Sequence, residues 1–380
     1  MRVLELKTNA HAVCGPSRLL EGCLGNIDTA RVEPVLALLA TPDLPPSVHF
    51  TSPLTAHLEH HVLPWRGHRR TGAMVRELRR LVATRGIDGV HSHDMRCDWL
   101  CAVAGGRRGL GVAWVPHIHG WLGTDGRPAM QLRELVHAMA LRRADEVWVV
   151  AECSRAAAGR FLRRSTPVRV LRNAADPRVL AGAAQRAPAL RASLRLPDSA
   201  ILVGMSARFE PYKGHRLLAE AAVAADVDAM HAVLLGHGAG EAALREMAAR
   251  PPYAGRITVP GAMPPHEVLG WVAALDIFAF PSVRDNLPLA VIEAMQLGRP
   301  VIASDVGDLP WALAGGAGML VPTGDIAALA AALRRLAGDR ELRARLGAAA
   351  KARADEVFAP RRLAREVEDA WLAIAARGRR

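Results

Sequence analysis

Two carboxylates stand eight positions apart, Asp285 and Glu293, on either side of Asn286-Leu287-Pro288-Leu289-Ala290. That run reads as the start of a helix. Proline suits a first helical position, because its missing N–H would have no partner there anyway. The amides of Leu287, Leu289 and Ala290 would then project from a helix end, which attracts anions through its dipole and its spare donors. An anion seat flanked by two acceptors of sugar hydroxyl protons is suited to a nucleotide sugar. A plain loop-to-helix junction with a surface carboxylate at each end has the same pattern, and this stretch alone leaves the two readings about even.

The run Pro281-Ser282, then Asp285, seven residues and Glu293-Ala294-Met295 resembles the donor site of family 4 retaining glycosyltransferases, which have the GT-B fold. Asp285 replaces the usual first Glu, and Asp-Asn-Leu-Pro is similar to a variant of bacterial members. The resemblance extends to Ser206-Ala207-Arg208-Phe209-Glu210-Pro211-Tyr212-Lys213-Gly214, which is similar to the family's Gly-Arg-Leu followed by Lys-Gly, with Ala207 in place of Gly. It implies that Arg208 and Lys213 hold the donor diphosphate. Cleaving a sugar–phosphate bond builds negative charge on the leaving oxygen, and fixed cations stabilise it. Arg offers a planar fork and Lys a compact charge. Only three lysines occur among the 49 basic residues, so a Lys here hints at a role that Arg does not fill.

Further matches follow in the family's order. Leu235-Gly236-His237-Gly238-Ala239-Gly240 lies between an apolar run and a helical pattern, and its glycines, Gly236 and Gly238 first, would admit a phosphate or base. Gly261 lies in a stretch resembling the loop that meets the nucleotide base. His119-Gly120-Trp121 is similar to the His-Gly-Trp of one bacterial branch, which implies that His119 faces the donor sugar. His91-Ser92-His93-Asp94 resembles that branch's His-Ser-His-Asp, and His93 and Asp94 are assigned to the acceptor side. Gly15 matches a glycine of the family's first loop, where Cys14 takes the place of its partner. Glu293 would bind ribose hydroxyls and Asp285 the transferring sugar. With Asp285, His119, Arg208 and Lys213 at the reacting centre, no cofactor and no metal are implied. Paired histidines near an Asp are a partial metal set, but no further ligand cluster stands nearby in sequence.

The elements that must position these residues form two cycles. Apolar runs at 3–6, 35–39, 89–93, 112–117, 146–150 and 168–171 read as strands with helical stretches between several of them. A second cycle runs through 201–205, 232–235, 257–259, 277–280 and 300–303. The first loop, Cys14-Gly15-Pro16-Ser17, precedes a helix expected from about Arg18. Alternating strands and helices imply parallel, helix-covered sheets. The fold class is therefore α/β, and the resemblance makes it GT-B: two Rossmann-like doubly wound domains facing across a cleft. The expected boundaries are 1–172 for an acceptor-binding domain and 173–360 for the donor-binding domain. An amphipathic helix at about 361–380, with Leu363, Val367, Trp371 and Ile374 on one face, crosses back to the first.

Composition excludes some classes and leaves others. A 380-residue chain with 51% apolar and 23% charged residues fits a globular protein with substantial cores. No apolar run reaches bilayer length, and Glu5 and Lys7 interrupt the segment that a signal peptide needs. The five cysteines have no metal spacing, and reduced thiols in a cytoplasmic protein are expected. The net charge of +12 is uneven: residues 1–172 hold 24 basic and 15 acidic side chains, an excess of nine. That excess either reflects an Arg-rich composition or marks an acidic partner, such as an anionic membrane surface on the cytoplasmic side. A nicotinamide-dependent dehydrogenase shares the two-domain plan, but the first turn lacks Gly-x-Gly-x-x-Gly. A nucleic-acid-binding protein could use the basic half, but aromatics are only 4% and no basic–aromatic pattern occurs. The expected partners are a nucleotide-sugar donor, a carbohydrate, lipid-linked or small-molecule acceptor, and no nucleic acid.

Overall fold

The computed structural model describes residues 1–8, 15–40, 54–65, 70–120, 128–163 and 165–378. Cys14, Arg66, Arg69 and Trp121 lie outside the described residues. Thirteen strands are found among them: β1 (Arg2–Thr8), β2 (Glu33–Ala40), β3 (Glu59–Pro64), β4 (Gly89–Ser92), β5 (Ala113–Ile118), β6 (Val147–Val149), β7 (Val168–Val170), β8 (Ile201–Ser206), β9 (Met230–Leu235), β10 (Ile257–Gly261), β11 (Ile277–Phe280), β12 (Val301–Ser304) and β13 (Met319–Val321). They divide between two compact units, one of residues 1–174 with 360–380 and the other of residues 175–359.

The first unit has a seven-stranded sheet in the order β3-β2-β1-β4-β5-β6-β7, with every pairing parallel. Its central strands are buried nearly along their length because helices cover both faces, which takes Glu5, Lys7, His91 and His117 out of water as well. The order reverses beside β1: β2 and β3 lie on one side, β4 to β7 on the other. The C-terminal helix Pro360–Gly378 packs on this unit through Leu363, Val367, Trp371 and Ile374, all buried. Gly89 makes room for it, since a Cβ there would fall 2.4 Å from the Trp371 ring. The helix is fastened by Glu368, which accepts from the Asp28 amide at 2.8 Å and pairs with Arg31 at 2.5 Å.

The second unit has a six-stranded parallel sheet ordered β10-β9-β8-β11-β12-β13, which reverses between β8 and β11. In open α/β sheets of this kind ligands bind beyond the carboxyl ends of the strands where the order reverses.

Sequence reading misses β3 and β13. Both are edge strands; β3, Glu-His-His-Val-Leu-Pro, buries little more than Leu63. The first helix starts at Gly15 rather than near Arg18. Pro16 is its second residue, and the first turn has no acceptor for a proline N–H to miss. Helix Leu289–Gln296 starts one residue after Pro288, which is its N-cap in an extended conformation (φ −71°, ψ 129°) rather than its first helical residue.

Candidate active site

At the reversal point of the second unit the loop after β8 meets the loop after β11. Tyr212 O accepts from the Val283 amide at 2.8 Å and from Ser282 Oγ at 3.1 Å. Gly214 permits this approach: its φ is +86°, and a Cβ would lie 2.2 Å from Pro281 O. The two loops are thus zipped together, and their charged side chains converge. Lys213 Nζ lies 2.5 Å from Asp285 Oδ2, with the two side chains only 15% and 14% exposed. The same ammonium stands 5.9 Å from the Phe280 ring centroid and 5.3 Å from that of Tyr212. Arg208 is 61% exposed, donates to the Tyr212 hydroxyl at 3.2 Å and stands 3.5 Å from Glu210. Arg284 covers the opposite loop, its guanidinium 4.8 Å from the Tyr212 centroid. Three cations therefore surround one tyrosine beside one half-hidden carboxylate.

Asp285 is held from its other side as well. Gly307, at φ +57°, brings its backbone so close that a Cβ would lie 2.3 Å from the carbonyl oxygens of Asp285 and Asn286. The Asp308 amide donates to Asn286 O at 2.8 Å. Asn286 and Leu287 are buried, as is Glu293 one turn inside the following helix. That helix takes its first internal bond at Val291, whose amide donates to Pro288 O. The amides of Leu289 and Ala290 precede it and have no acceptor inside the helix. The second unit thus brings Arg208, Lys213, Asp285, Asn286, Leu287, Leu289, Ala290 and Glu293 to one end of its sheet. Tyr212, Arg284 and Gly307 also belong to this cluster and were missed by sequence reading. Tyr212 and Arg284 fall inside the motif-bearing stretches, and the tyrosine directly before Lys213 was the available signal.

The glycines after β9 make room for a neighbouring loop. A Cβ on Gly236 would lie 1.9 Å from Ala207 O, and one on Gly238 3.2 Å from the Phe209 amide. Their freedom lets the loop after β8 lie flat against them. Gly261 ends β10 at φ +91°, where a Cβ would meet Arg245 at 2.5 Å.

In the first unit the reversal beside β1 gathers a second cluster. Parallel register sets Glu5 opposite His91, and residues 93, 117 and 119 continue the same face at the strand ends. His93 Nε2 bonds Glu5 Oε2 at 2.6 Å, and His93 Nδ1 stands 3.3 Å from His119 Nε2. His91 Nδ1 also lies 2.8 Å from Glu5 Oε2, but off the line of a hydrogen bond. The His117 ring stacks at 4.4 Å on that of His119 and at 5.4 Å on that of His91. Burial pushes the Glu5 carboxyl up, yet His91 and His93 outweigh it and hold it down to about 2. Burial first, then the charge of His91, lowers His93 to about 4 against the opposing pull of Glu5. Burial and neighbouring imidazoles put His117 and His119 well below the ordinary histidine value. The site therefore contains an ionised carboxylate close to imidazoles of which His93, His117 and His119 are held neutral, with Lys7 farther along β1 and bonded to Ser17 Oγ.

Asp94 organises its own loop. Its carboxylate caps helix Met95–Val103, accepting from the Arg96 and Cys97 amides at 3.0 and 3.1 Å, and ties in the Thr8 amide at 2.7 Å. That leaves it as an organiser of the loop that carries His93. Gly15 opens the first helix at a half-buried position.

Residues 187–353 match the family described as glycosyl transferases group 1, and residues 29–174 match the glycosyl transferase 4-like domain. The chain is similar to a D-inositol 3-phosphate glycosyltransferase of Nocardia farcinica, 34% identical over 176 residues, or 44% of this chain and 39% of that protein. It is similar to one of Stackebrandtia nassauensis at 29% over 291 residues, covering 70% and 63% of the two chains. The chain thus spans about two-fifths of the first of these curated relatives and under two-thirds of the second. Among solved structures, sucrose-phosphate synthase from Thermosynechococcus elongatus superposes with TM-score 0.81 at 20% identity, over 99% of both chains. Anabaena HepE in complex with UDP and glucose also gives 0.81 at 20% identity, over 98% of this chain and 100% of its own. The fold is GT-B, and each unit matches a glycosyl transferase family model.

Proposed function

We propose that the protein transfers a sugar from a nucleotide-diphosphate sugar to a hydroxyl acceptor with retention of anomeric configuration. The observation that carries this reading is the meeting of Lys213 and Asp285 at the reversal point of the second sheet, with Arg208 and Arg284 beside them and a helix N-terminus directly downstream. A diphosphate placed there meets cations from two loops and the amides of Leu289 and Ala290. Charge that grows on the leaving phosphate is then stabilised by groups already in place. The diphosphate accordingly needs no metal ion. Asp285 and Glu293 accept from sugar and ribose hydroxyls respectively, and the loop at Gly261 meets the base by its backbone. In the other unit, His93 and Gly15 serve the acceptor, and neutral His119 is a hydrogen-bond partner for a sugar hydroxyl. Attack from the face that the phosphate leaves, with that phosphate taking the acceptor's proton, gives retention. The solved complexes of HepE hold UDP, and others hold UDP with glucose or UDP-glucose; a uridine nucleotide is therefore the first donor class to try. Thermal-shift screening against nucleoside diphosphates and their sugars tests the reading. A hit should raise the melting point by several degrees at saturation and should then be consumed when acceptors are added. No shift with any nucleoside diphosphate refutes it.

We further propose that the first unit docks reversibly on an anionic, cytoplasm-facing membrane surface. Helix Pro128–Leu141 exposes Leu132, Leu135, Val136 and Met139 at helical spacing. Trp99 and Val103 add to this face from the helix it packs on, which His137 and Asp98 join at 2.7 Å. Arg133 and Arg142 stand in or beside the same helix, in the half of the chain with the basic excess. An apolar stripe edged by arginines fits a lipid interface. Among the described residues no helix is long and apolar enough to cross a membrane.

A further inference from the structure

The histidine cluster of the first unit contains more ligand atoms than a hydroxyl acceptor requires. One nitrogen each of His91, His93 and His117 lies within 4.8 Å of the others, and all three side chains are buried. Two nearby groups offer a lone pair that nothing takes: among the described residues His117 Nε2 and Glu5 Oε1 are buried without a hydrogen-bond partner. Buried polar atoms of native proteins almost always have one. The Glu5 carboxylate stands beside two of the three, with Oε2 2.6 Å from His93 Nε2 and 2.8 Å from His91 Nδ1.

The dimensions suit one metal ion. Nitrogens bound tetrahedrally to zinc at 2.0–2.1 Å stand about 3.4 Å apart, and their ring centroids about 5 Å apart. Here the centroid separations are 4.1 Å for His91–His93, 5.4 Å for His91–His117 and 5.9 Å for His93–His117. Bringing nitrogens that are up to 4.8 Å apart to that spacing takes ring rotations of up to about an ångström at the nitrogens, with the Glu5 carboxylate turning to complete the set. A metal-ligating histidine usually gives its second nitrogen to an orienting partner. His93 already has one, for its Nδ1 faces His119 Nε2 at 3.3 Å. The position is rigid as well, because its residues come from three adjacent parallel strands, β1, β4 and β5, and Trp148 and Trp371 close the side of His91 at 4.6 and 6.0 Å.

We propose that Glu5, His91, His93 and His117 form a binding site for a divalent cation of the zinc class. Three imidazoles and a carboxylate are a borderline donor set that favours zinc over magnesium or calcium. Four protein ligands leave no open position, so the ion is structural: it joins the carboxyl ends of three strands. This goes beyond the proposed sugar transfer and does not depend on it; with the ion bound, His93 holds the metal instead of touching the acceptor, which is left to Gly15 and the loop that Asp94 organises.

The test uses the full chain carrying Cys153→Ser, which removes the exposed thiol as a competing ligand. Protein stripped with a chelator and desalted is titrated with cobalt(II) alone. The expected result is the strong visible absorption of tetrahedral cobalt, saturating at about one equivalent and bleached by zinc. Zinc should also raise the melting point of the stripped protein. His117→Ala should abolish the tetrahedral spectrum and weaken zinc by at least about a hundredfold in a chelator competition. Glu5→Gln, which keeps the shape, should weaken it too. Should both variants fail to fold, X-ray absorption on the zinc-loaded parent counts the ligands directly. Three imidazoles and one oxygen support the site; a mostly oxygen shell overturns it. Octahedral cobalt spectra, no melting shift, or a tetrahedral spectrum that survives in His117→Ala overturn it equally.

Discussion

Replacing Lys213 by Ala separates a diphosphate clamp from a structural ion pair. The ammonium is only 15% exposed and its partner Asp285 14%, at 2.5 Å. A unit charge about 4 Å away at an effective dielectric of 20 is worth up to about 4 kcal/mol. Loss of one donor to a developing oxyanion typically costs about 10²–10³ in turnover, the same scale. The variant should therefore lose about two to three orders of magnitude in kcat on the donor found by screening. Its calorimetric affinity should fall for the nucleoside diphosphate and stay nearly unchanged for the nucleoside. Stability should fall as well, because Asp285 is left half-hidden with its charge. A fully buried orphan would cost about 3–5 kcal/mol; residual solvent access reduces this to about 2 kcal/mol. Adding Asp285→Asn to Lys213→Ala should restore much of the stability and none of the turnover, because the two residues are coupled in the fold but have separate duties toward substrate. If Lys213→Ala turns over within about twofold of the parent, Lys213 is a structural partner of Asp285 and the clamp is wrong.

Glu293→Ala should remove most activity with an unchanged circular dichroism spectrum; transfer at the parent rate would unseat it from the donor site. Nucleoside diphosphate affinity, measured by calorimetry on chelator-treated protein, should be the same within about twofold with and without magnesium, since Arg208, Lys213 and the helix amides supply the positive charge. His215 sits buried and edge-on to Phe209 at 4.8 Å, and its burial lowers it to about 4 despite the Leu235 carbonyl. Its unfolded value is near 6.5, so the unfolded chain takes up the proton first; stability is full above that value and declines by about 2 kcal/mol as pH falls from about 7 to about 5. His215→Gln should flatten that slope in urea midpoints, and parallel slopes would show that another group sets it. Binding to anionic vesicles should weaken steeply with salt and in Leu135→Glu/Met139→Glu, whereas equal sedimentation with neutral and anionic vesicles would leave the apolar stripe without a lipid partner.

The chemistry of the second unit was legible because it is local. Asp285 and Glu293 lie within one loop–helix junction, and Arg208 and Lys213 within one loop, so each spacing could be read directly. Their mutual contact was not legible. Lys213 reaches Asp285 only because β8 neighbours β11, a pairing across more than seventy positions that no motif records. The glycines show the same limit. A Gly-x-Gly after a strand signals close approach of something, but the residue approached at Gly236 is Ala207 of the same unit. Asp94, read beside His93 as an acceptor-side residue, also caps a helix, a duty that rests on the backbone amides of Arg96 and Cys97 and that the motif does not record.

The histidines carry the argument furthest. His91 and His93 were visible as a pair and dismissed as a metal set because no third ligand stood nearby in sequence. The third ligand is 24 residues from His93 in sequence, yet it belongs to the neighbouring strand. In a parallel sheet, strands that neighbour each other are separated by a whole helix crossover, so ligands from adjacent strand ends are necessarily distant in sequence. His-x-His at the end of one strand and His-x-His at the end of the next, with Glu5 on the strand across the reversal, converge on one face because side chains alternate with period two. Both units thus concentrate their charged and ligating groups where strand order reverses. In the second unit the groups are cations, suited to a phosphate; in the first they are one carboxylate beside several imidazoles, suited to a cation. The same topology therefore makes two sites of opposite preference, and residue type at the strand ends alone decides which.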